Sequence, residues 1–281
     1  MGKKFEWLED HKIPIGKWAK AAVDWLTQNA AWFFDGLAFG LDGVISALLF
    51  ILQSPHPFMI IAAATVLAYV TRRSIAFAAF TALGLLLVIN QGYWEETTET
   101  LALVLAATLV CMGLGVPIGI AAARRPWLYA GLRPLLDLMQ TIPTFVYLIP
   151  ALILFGLGMV PGLIATVIFA IPAPIRLTHL GITSTPKPLI EAGQAFGASK
   201  WQVLMKVELP YAMPQIMAGL TQTIMLSLSM VVIAALVGAD GLGVPTLRAL
   251  NTVNIAKGFE VGVAIVLVAI ILDRLFRKPQ T

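Results

Sequence analysis

The sequence predicts an all-α polytopic membrane protein, and three observations carry that prediction. The 281-residue chain is 59% hydrophobic and only 12% charged, whereas a soluble domain typically carries about 25% charged residues. Its mean hydropathy is +0.86. Apolar segments alternate with short loops, and basic and acidic residues fall on opposite sets of those loops. The net charge of +4 therefore reads as a topology signal, not as a footprint for nucleic acid. Cys111 stands alone inside an apolar segment, which rules out an intrachain disulfide. The opening MGKKFEWLEDHK leads into no short apolar core with a small-residue cleavage site, so no removable signal peptide is expected.

Residues 17–52 read as one long amphipathic segment. Asp24, Gln28, Asp35, Asp42 and Ser46 recur four or seven apart, a polar stripe beside Trp25, Trp32, Phe33, Phe34 and Phe39. An acidic stripe with so much aromatic surface suits a helix lying in the membrane interface. The alternative is that 36–52 spans, with the Asp stripe buried against other helices. Ser54-Pro55-His56-Pro57 is a turn. Residues 58–71 and 74–90 then form a hairpin of two spans around Thr71-Arg72-Arg73, the first short for a crossing of about 20 residues. QGYWEETTE, residues 91–99, is aromatic and acidic, as an outer interface should be.

Five further spans are expected at 100–123, 132–157, 162–183, 211–237 and 259–276. Gly158-Met159-Val160-Pro161-Gly162 makes one external turn, and Gly238 to Gly258 makes a glycine-rich external connection. Arg72, Arg73, Arg124, Arg125, Arg133, Lys187, Lys200, Lys206, Arg274, Arg277 and Lys278 all land on one side. Glu95, Glu96, Glu99, Asp240 and Glu260 land on the other. That agreement orients seven spans with the N-terminus outside, although Lys3, Lys4, Lys12, Lys17 and Lys20 pull the other way.

Between the spans ending at 183 and starting at 211 lies a polar island, KPLIEAGQAFGASKWQVLMKVELP. Its chemistry predicts two short helices broken at a glycine. Leu189, Ala192, Ala195 and Phe196 recur at helical spacing, giving one apolar docking face. Gly197 can take the left-handed turn that ends a helix. Ser199 followed by Gln202 is a capping-box start for the second helix. Trp201, Leu204 and Met205 supply its apolar side, and Leu209-Pro210 closes the unit.

Glu191-Ala192-Gly193, then Gly197 after a three-residue gap, then Val207-Glu208-Leu209-Pro210 after nine more, resembles the EAA loop of bacterial ABC importer permeases. Gly193 stands for the third alanine of that pattern and Val207 for its isoleucine. The plain alternative is an ordinary amphipathic connector. Pro134-Leu135-Leu136-Asp137-Leu138-Met139-Gln140-Thr141-Ile142-Pro143, Tyr147-Leu148-Ile149-Pro150 and Ser227-Leu228-Ser229-Met230-Val231 narrow the likeness. They are similar to the permeases for glycine betaine, proline betaine and choline. The resemblance covers almost the whole chain.

It implies a type I importer permease core of five transmembrane helices, with two additional N-terminal spans and an amphipathic N-terminal helix. The organisation is then 1–53 as interfacial segment, 54–95 as a scaffold pair, and 96–281 as the core, with its cytoplasmic coupling loop at 186–210. In that reading Glu191, Ala192, Gly193, Gly197, Ser199, Leu209 and Pro210 engage the ATPase. The resemblance also implies a second copy of the chain, two cytoplasmic ATPase subunits, an external solute-binding protein, and a place in the bacterial inner membrane. ATP and Mg would belong to the ATPase, with no cofactor in this chain.

A quaternary ammonium ion donates no hydrogen bond, so its selection calls for aromatic faces and excluded water. Path candidates are Gln140, Thr141, Pro143, Tyr147 and Pro150, where prolines interrupt helix. Opposite them would stand Gln222, Ser227, Ser229 and Met230. For each of these, helix packing is the competing explanation. Asp137 is expected to pair with Arg133 one turn earlier, and Arg176 to snorkel. Asp240, Gly241 and Gly243 form a flexible external turn, a candidate gate or docking point. Gly115 and Gly119 make a GxxxG match, a weak signal among 23 glycines.

No GxxxxGK[ST] loop occurs, so the chain is not expected to hydrolyse ATP. No metal-ligand spacing or Ser/His/Asp set occurs either. The expected function is a permease subunit importing a betaine-type compatible solute. An ABC permease for another small solute, such as an amino acid, is the alternative. An ion-coupled secondary transporter would need intramembrane charges, of which the core spans hold few, and internal repeats, of which the sequence shows none.

Overall fold

The computed structural model describes residues 14–277. Lys3, Lys4, Lys12 and Lys278, used above to orient the chain, lie outside the described residues. Among the described residues, five helical stretches are long and apolar enough to cross a membrane, or six if one sharply bent pair counts as a span.

The first of the expected elements divides. Instead of one helix over 17–52 there are two, α1 (Ile15–Asn29) and α2 (Ala31–Gln53), broken at Ala30. The second is long and apolar enough to span. Asp35 and Asp42 stay on its exposed side, while Ile45 is buried against Leu103 and Leu163. The acidic stripe is therefore not buried among neighbouring helices. Helices α3 (Pro57–Arg72) and α4 (Ile75–Asn90) form the expected hairpin. At 16 residues each they reach only about 24 Å at 1.5 Å per residue, short of a hydrocarbon core of about 30 Å.

The centre of the bundle is α5 (Trp94–Arg124), a helix of 31 residues with Leu103, Val104, Ala106, Ala107 and Cys111 fully buried. After α6 (Pro126–Thr141) and α7 (Thr144–Phe155) come α8 (Met159–Ala170) and α9 (Pro172–Thr183), two halves of one span. Helix α9 packs closely on α5, and the GxxxG pair is the reason. A Cβ on Gly115 would sit 2.7 Å from Pro174 Cγ, and one on Gly119 2.8 Å from the Ile175 carbonyl oxygen. Small residues let the two backbones approach where hydrophobic driving force between spans is absent.

The polar island folds as α10 (Lys187–Ala195), α11 (Lys200–Val203) and a π-helical turn (Leu204–Glu208), which runs into α12 (Leu209–Ala234). Beyond a 3₁₀ turn at Ala235–Val237, the expected glycine loop over 238–258 is largely ordered. It contains α13 (Gly243–Asn251) and then enters α14 (Ile255–Phe276). Glycine composition concealed that helix because Gly243 is there to fit, not to bend. A Cβ on it would collide with the Val231 carbonyl oxygen. Helices α12 and α14 run antiparallel, and Val104, Ile224, Leu228, Val231, Val268 and Leu272 fuse them to α5.

Candidate functional site: the coupling elbow and the broken helix

The elbow over 186–210 is built from local rules. Gly197 ends α10 with φ +78°, and the amides of Gly197 and Ala198 donate to the carbonyls of Gln194 and Gly193. The capping box forms as the spacing predicts. The Gln202 amide donates to Ser199 Oγ at 3.3 Å, and the Ser199 amide donates to Gln202 Oε1 at 2.8 Å. Gly193 faces Val203 and Val207 across the inside of the elbow, where a Cβ would find ordinary contacts at 3.5 and 3.6 Å. Val203, Leu204 and Glu208 are the buried side. Glu191, Ala192, Gly197 and Ser199 are exposed, and so are Leu189, Trp201, Met205 and above all Phe196, which is 93% exposed. An elbow held by its own caps thus presents a row of large apolar side chains outward.

Its anchorage to the bundle was not foreseen from sequence. Arg124, the last residue of α5, meets Glu208 at 2.5 Å and reaches the Lys200 carbonyl at 3.4 Å. The Glu208 side chain is only 10% exposed. One guanidinium therefore ties the central helix to both ends of the elbow's second arm. The π-helical turn between those ends carries a hydrogen bond from the Leu209 amide to the Leu204 carbonyl. Single π-helical turns inside helices are frequent at functional sites. Arg124 was legible only as a topology charge, because its partner lies 84 residues away.

The span expected over 132–157 is a bent pair. Helices α6 and α7 meet at 96° around Ile142 and Pro143. Pro143 has no N–H, so the Met139 carbonyl four residues earlier loses its helical donor. Tyr147 supplies the replacement: its hydroxyl donates to Met139 O at 2.8 Å and to Leu138 O at 3.1 Å. Tyr147 thus holds the bend closed, a role that its placement among path residues did not anticipate. Tyr147→Phe should leave the Met139 carbonyl without that donor, while Leu138 keeps the Ile142 amide, at about 1 kcal/mol. The check is thermal unfolding of the purified protein beside transport activity. We expect a lower Tm and reduced uptake, whereas unchanged values would show that the hydroxyl is idle.

The second expectation near this bend is corrected. Asp137 pairs with Arg176 of α9 at 2.6 Å, not with Arg133. Arg176 is therefore a cross-link and not a snorkelling residue. Two turns earlier on α6, Tyr129 stacks on His179 with centroids 3.6 Å apart. The two contacts lock α6 onto α9 in antiparallel register.

The other path candidates separate. Gln140 and Pro150 are half-buried, and Thr141 and Pro143 are exposed. On α12, Gln222 and Ser229 share an exposed face with Met225, to whose carbonyl Ser229 Oγ donates at 3.0 Å. Ser227 and Met230 point the other way into the core, Met230 against Leu148 and Val237. The set does not line one surface.

At the far end, the turn carrying Asp240, Gly241 and Gly243 is anchored, not flexible. The Leu242 amide donates to Thr100 Oγ1 at 2.9 Å, and the Gly158 amide donates to the Val237 carbonyl at 2.9 Å. Gly241 has φ +120°, and a Cβ there would meet Thr100 Oγ1 at 2.7 Å. Asp240 is exposed at the mouth of a 200 Å³ hollow shared with Glu95, Glu96, Glu99 and Arg248. Nearby, Tyr93 donates to Glu260 at 3.3 Å. Burial, then the Glu260 carboxylate, raises the Tyr93 hydroxyl pKa. Acidic residues thus gather at one end of the bundle, while Arg124 and the elbow stand at the other.

Residues 115–278 match the family described as binding-protein-dependent transport system inner membrane component. The chain belongs to this permease family. Its relatives include the glycine betaine transport system permease protein OpuAB of Bacillus subtilis (strain 168), 46% identical over 94% of this chain and 93% of the relative. The glycine betaine/proline betaine permease ProW of Escherichia coli (strain K12) is 44% identical over 94% of this chain and 74% of its own length. Among solved structures, the inward-facing MetNI methionine ABC transporter matches with TM-score 0.59 at 25% identity. That match covers 66% of this permease and 94% of the solved chain. The chain is thus a transport component rather than an enzyme, and its family places it in a multi-pass inner-membrane assembly that works with a binding protein.

Proposed function

We propose that this permease carries glycine betaine or a closely related quaternary ammonium solute, driven by ATP hydrolysed in partner subunits. The observation that carries the reading is identity of 44–46% over 94% of the chain to permeases named for betaines. Against this, the methionine-transporter likeness rests on 25–26% identity over about two thirds of the chain. Two copies of the chain would enclose the path, each offering its elbow to one cytoplasmic ATPase carrying ATP and Mg. Phe196, Trp201, Leu189 and Met205 are the contact surface, with Glu191, Ala192, Gly193, Gly197, Ser199, Leu209 and Pro210 setting its shape. Closure of the ATPase pair would push the elbows together, and the Arg124–Glu208 tie would pass that movement to α5. The broken helix α6–α7 is the part placed to open and close. Asp240, exposed on the turn that the buried Gly241 and Gly243 hold in place, would meet the binding protein.

The test is reconstitution of the permease with its ATPase and binding protein in proteoliposomes. The expected result is ATP-dependent uptake of radiolabelled glycine betaine that excess choline or proline betaine reduces, that methionine leaves alone, and that survives a protonophore. Uptake that persists without ATPase and collapses with the proton gradient would overturn the reading.

A further inference from the structure

We propose that the cavity between the ends of α3, α4 and α14 binds the headgroup phosphate of an anionic phospholipid. The inference rests on the membrane placement of the chain and not on which solute it carries. The cavity measures about 590 Å³ and, because α14 runs antiparallel to α12, the C-terminal end of α14 that lines it lies at the elbow end of the bundle. Its rim carries Arg72, Arg274 and Arg277 with one acid, Asp273. Phe77, Met225 and Ile270 form its apolar floor.

Three features distinguish it from ordinary basic residues at a membrane surface. Such residues extend into water and stay apart. Here Arg72 turns inward, and its Nε donates to the Arg274 carbonyl at 2.5 Å, drawing the two arginines into one cavity. The Arg274 guanidinium lies 6.0 Å from the Phe77 ring centroid. Asp273 is engaged by Arg277 at 3.5 Å. Among the described residues, no carboxylate pairs with Arg72 or Arg274. Gathering like charges is costly where the surroundings are partly apolar, and an anion between them offsets that cost.

The second feature is Ser74, which also lines the cavity and caps the 16-residue helix α4, its Oγ accepting from the Phe77 amide at 3.3 Å. The positive end of that helix thus opens beside the arginines, and phosphate favours both. The third is the floor. A free anion in water has no use for Phe77, Met225 and Ile270, whereas the glycerol and upper acyl carbons of a lipid cover them. Ile75 and Met225 extend this apolar lining to the exposed surface. Basic pockets between membrane helices are a recognised geometry for anionic headgroups.

The experiment is native mass spectrometry of the full-length permease, released from neutral detergent after titration with dioleoylphosphatidylglycerol, dioleoylphosphatidylcholine or inorganic phosphate. We expect one phosphatidylglycerol retained per chain, with about a tenfold or greater preference over phosphatidylcholine. R72Q/R274Q should lose that preference. R73Q, which alters the neighbouring arginine that does not line the cavity, should keep it. Displacement of the lipid by millimolar inorganic phosphate would make this a free-anion site and overturn the lipid assignment. So would equal retention of the two lipids by the wild-type chain, a measurement that needs no variant to fold. Undiminished preference in R72Q/R274Q would place the lipid elsewhere and overturn the assignment too.

Discussion

Gly197→Val will abolish coupled transport while the protein still inserts and assembles. Gly197 holds φ +78°, and placing a side chain in the left-handed region costs roughly 1–2 kcal/mol, with β-branching at the upper end. Within a span that sum would be absorbed by packing. Helix α10 has no buried residue, so little tertiary burial opposes its rearrangement. The strained turn can relax by swinging α10 away from α11, which moves Phe196 and Leu189 off the surface where they converge. Gly193→Ala is the matched control, because its Cβ finds ordinary contacts against Val203 and Val207 and alanine favours helix by about 1 kcal/mol over glycine. Membrane yield and uptake measured side by side will check this. We expect normal yield for both, uptake retained in Gly193→Ala and lost in Gly197→Val. Normal uptake by Gly197→Val would show that the shape of the elbow does not matter.

Arg124→Ala should cost more stability, because it leaves a buried acid without its partner. Removing one member of a buried pair costs about 3–5 kcal/mol. The Arg124 side chain is one-third exposed, which places the expected loss near about 3 kcal/mol. The same change removes the contact to the Lys200 carbonyl, so both ends of the second arm come free of α5. The expected phenotype is a lower Tm together with ATP hydrolysis that continues while solute uptake falls at least about tenfold, the equivalent of 1.4 kcal/mol in coupling. Arg124→Glu combined with Glu208→Arg restores the charges in reversed order and should recover part of the uptake. Equal solute moved per ATP in Arg124→Ala and wild type would reduce the pair to a stabilising contact without a role in transmission.

What could be read from sequence was local. Ser199 and Gln202 are three residues apart, Gly197 stands at the required stop, and each has the geometry its spacing demanded. The polar island was legible because backbone rules act over one turn of helix. Partners distant in sequence were not. Asp137 had an acceptable neighbour in Arg133 at helical spacing, yet it chose Arg176, 39 residues away, because α6 lies antiparallel on α9. Arg124 and Glu208 escaped for the same reason. Glycines misled in two directions. Gly115 and Gly119 looked too common to signify but set the contact of α5 with α9, while Gly241 and Gly243 looked like a loose turn but pack tightly on Thr100 and Val231. Composition reports how many glycines there are, and only packing reports what each one faces. The two serines of α12 fell on opposite sides for a related reason. Residues 227 and 229 are two positions apart on a helix, a rotation of about 200°, so Ser227 is buried where Ser229 is exposed.

The central claim is that the exposed apolar row of the elbow is where an ATPase subunit docks. A photoreactive benzoylphenylalanine in place of Phe196, the most exposed aromatic of the elbow at 93%, tests it in the assembled transporter. Irradiation should join the permease to the ATPase subunit, and a probe at Phe259 on α14, 73% exposed at the opposite end of the bundle, should not. Cross-linking from position 196 to the binding protein, or to lipid alone, would contradict the account.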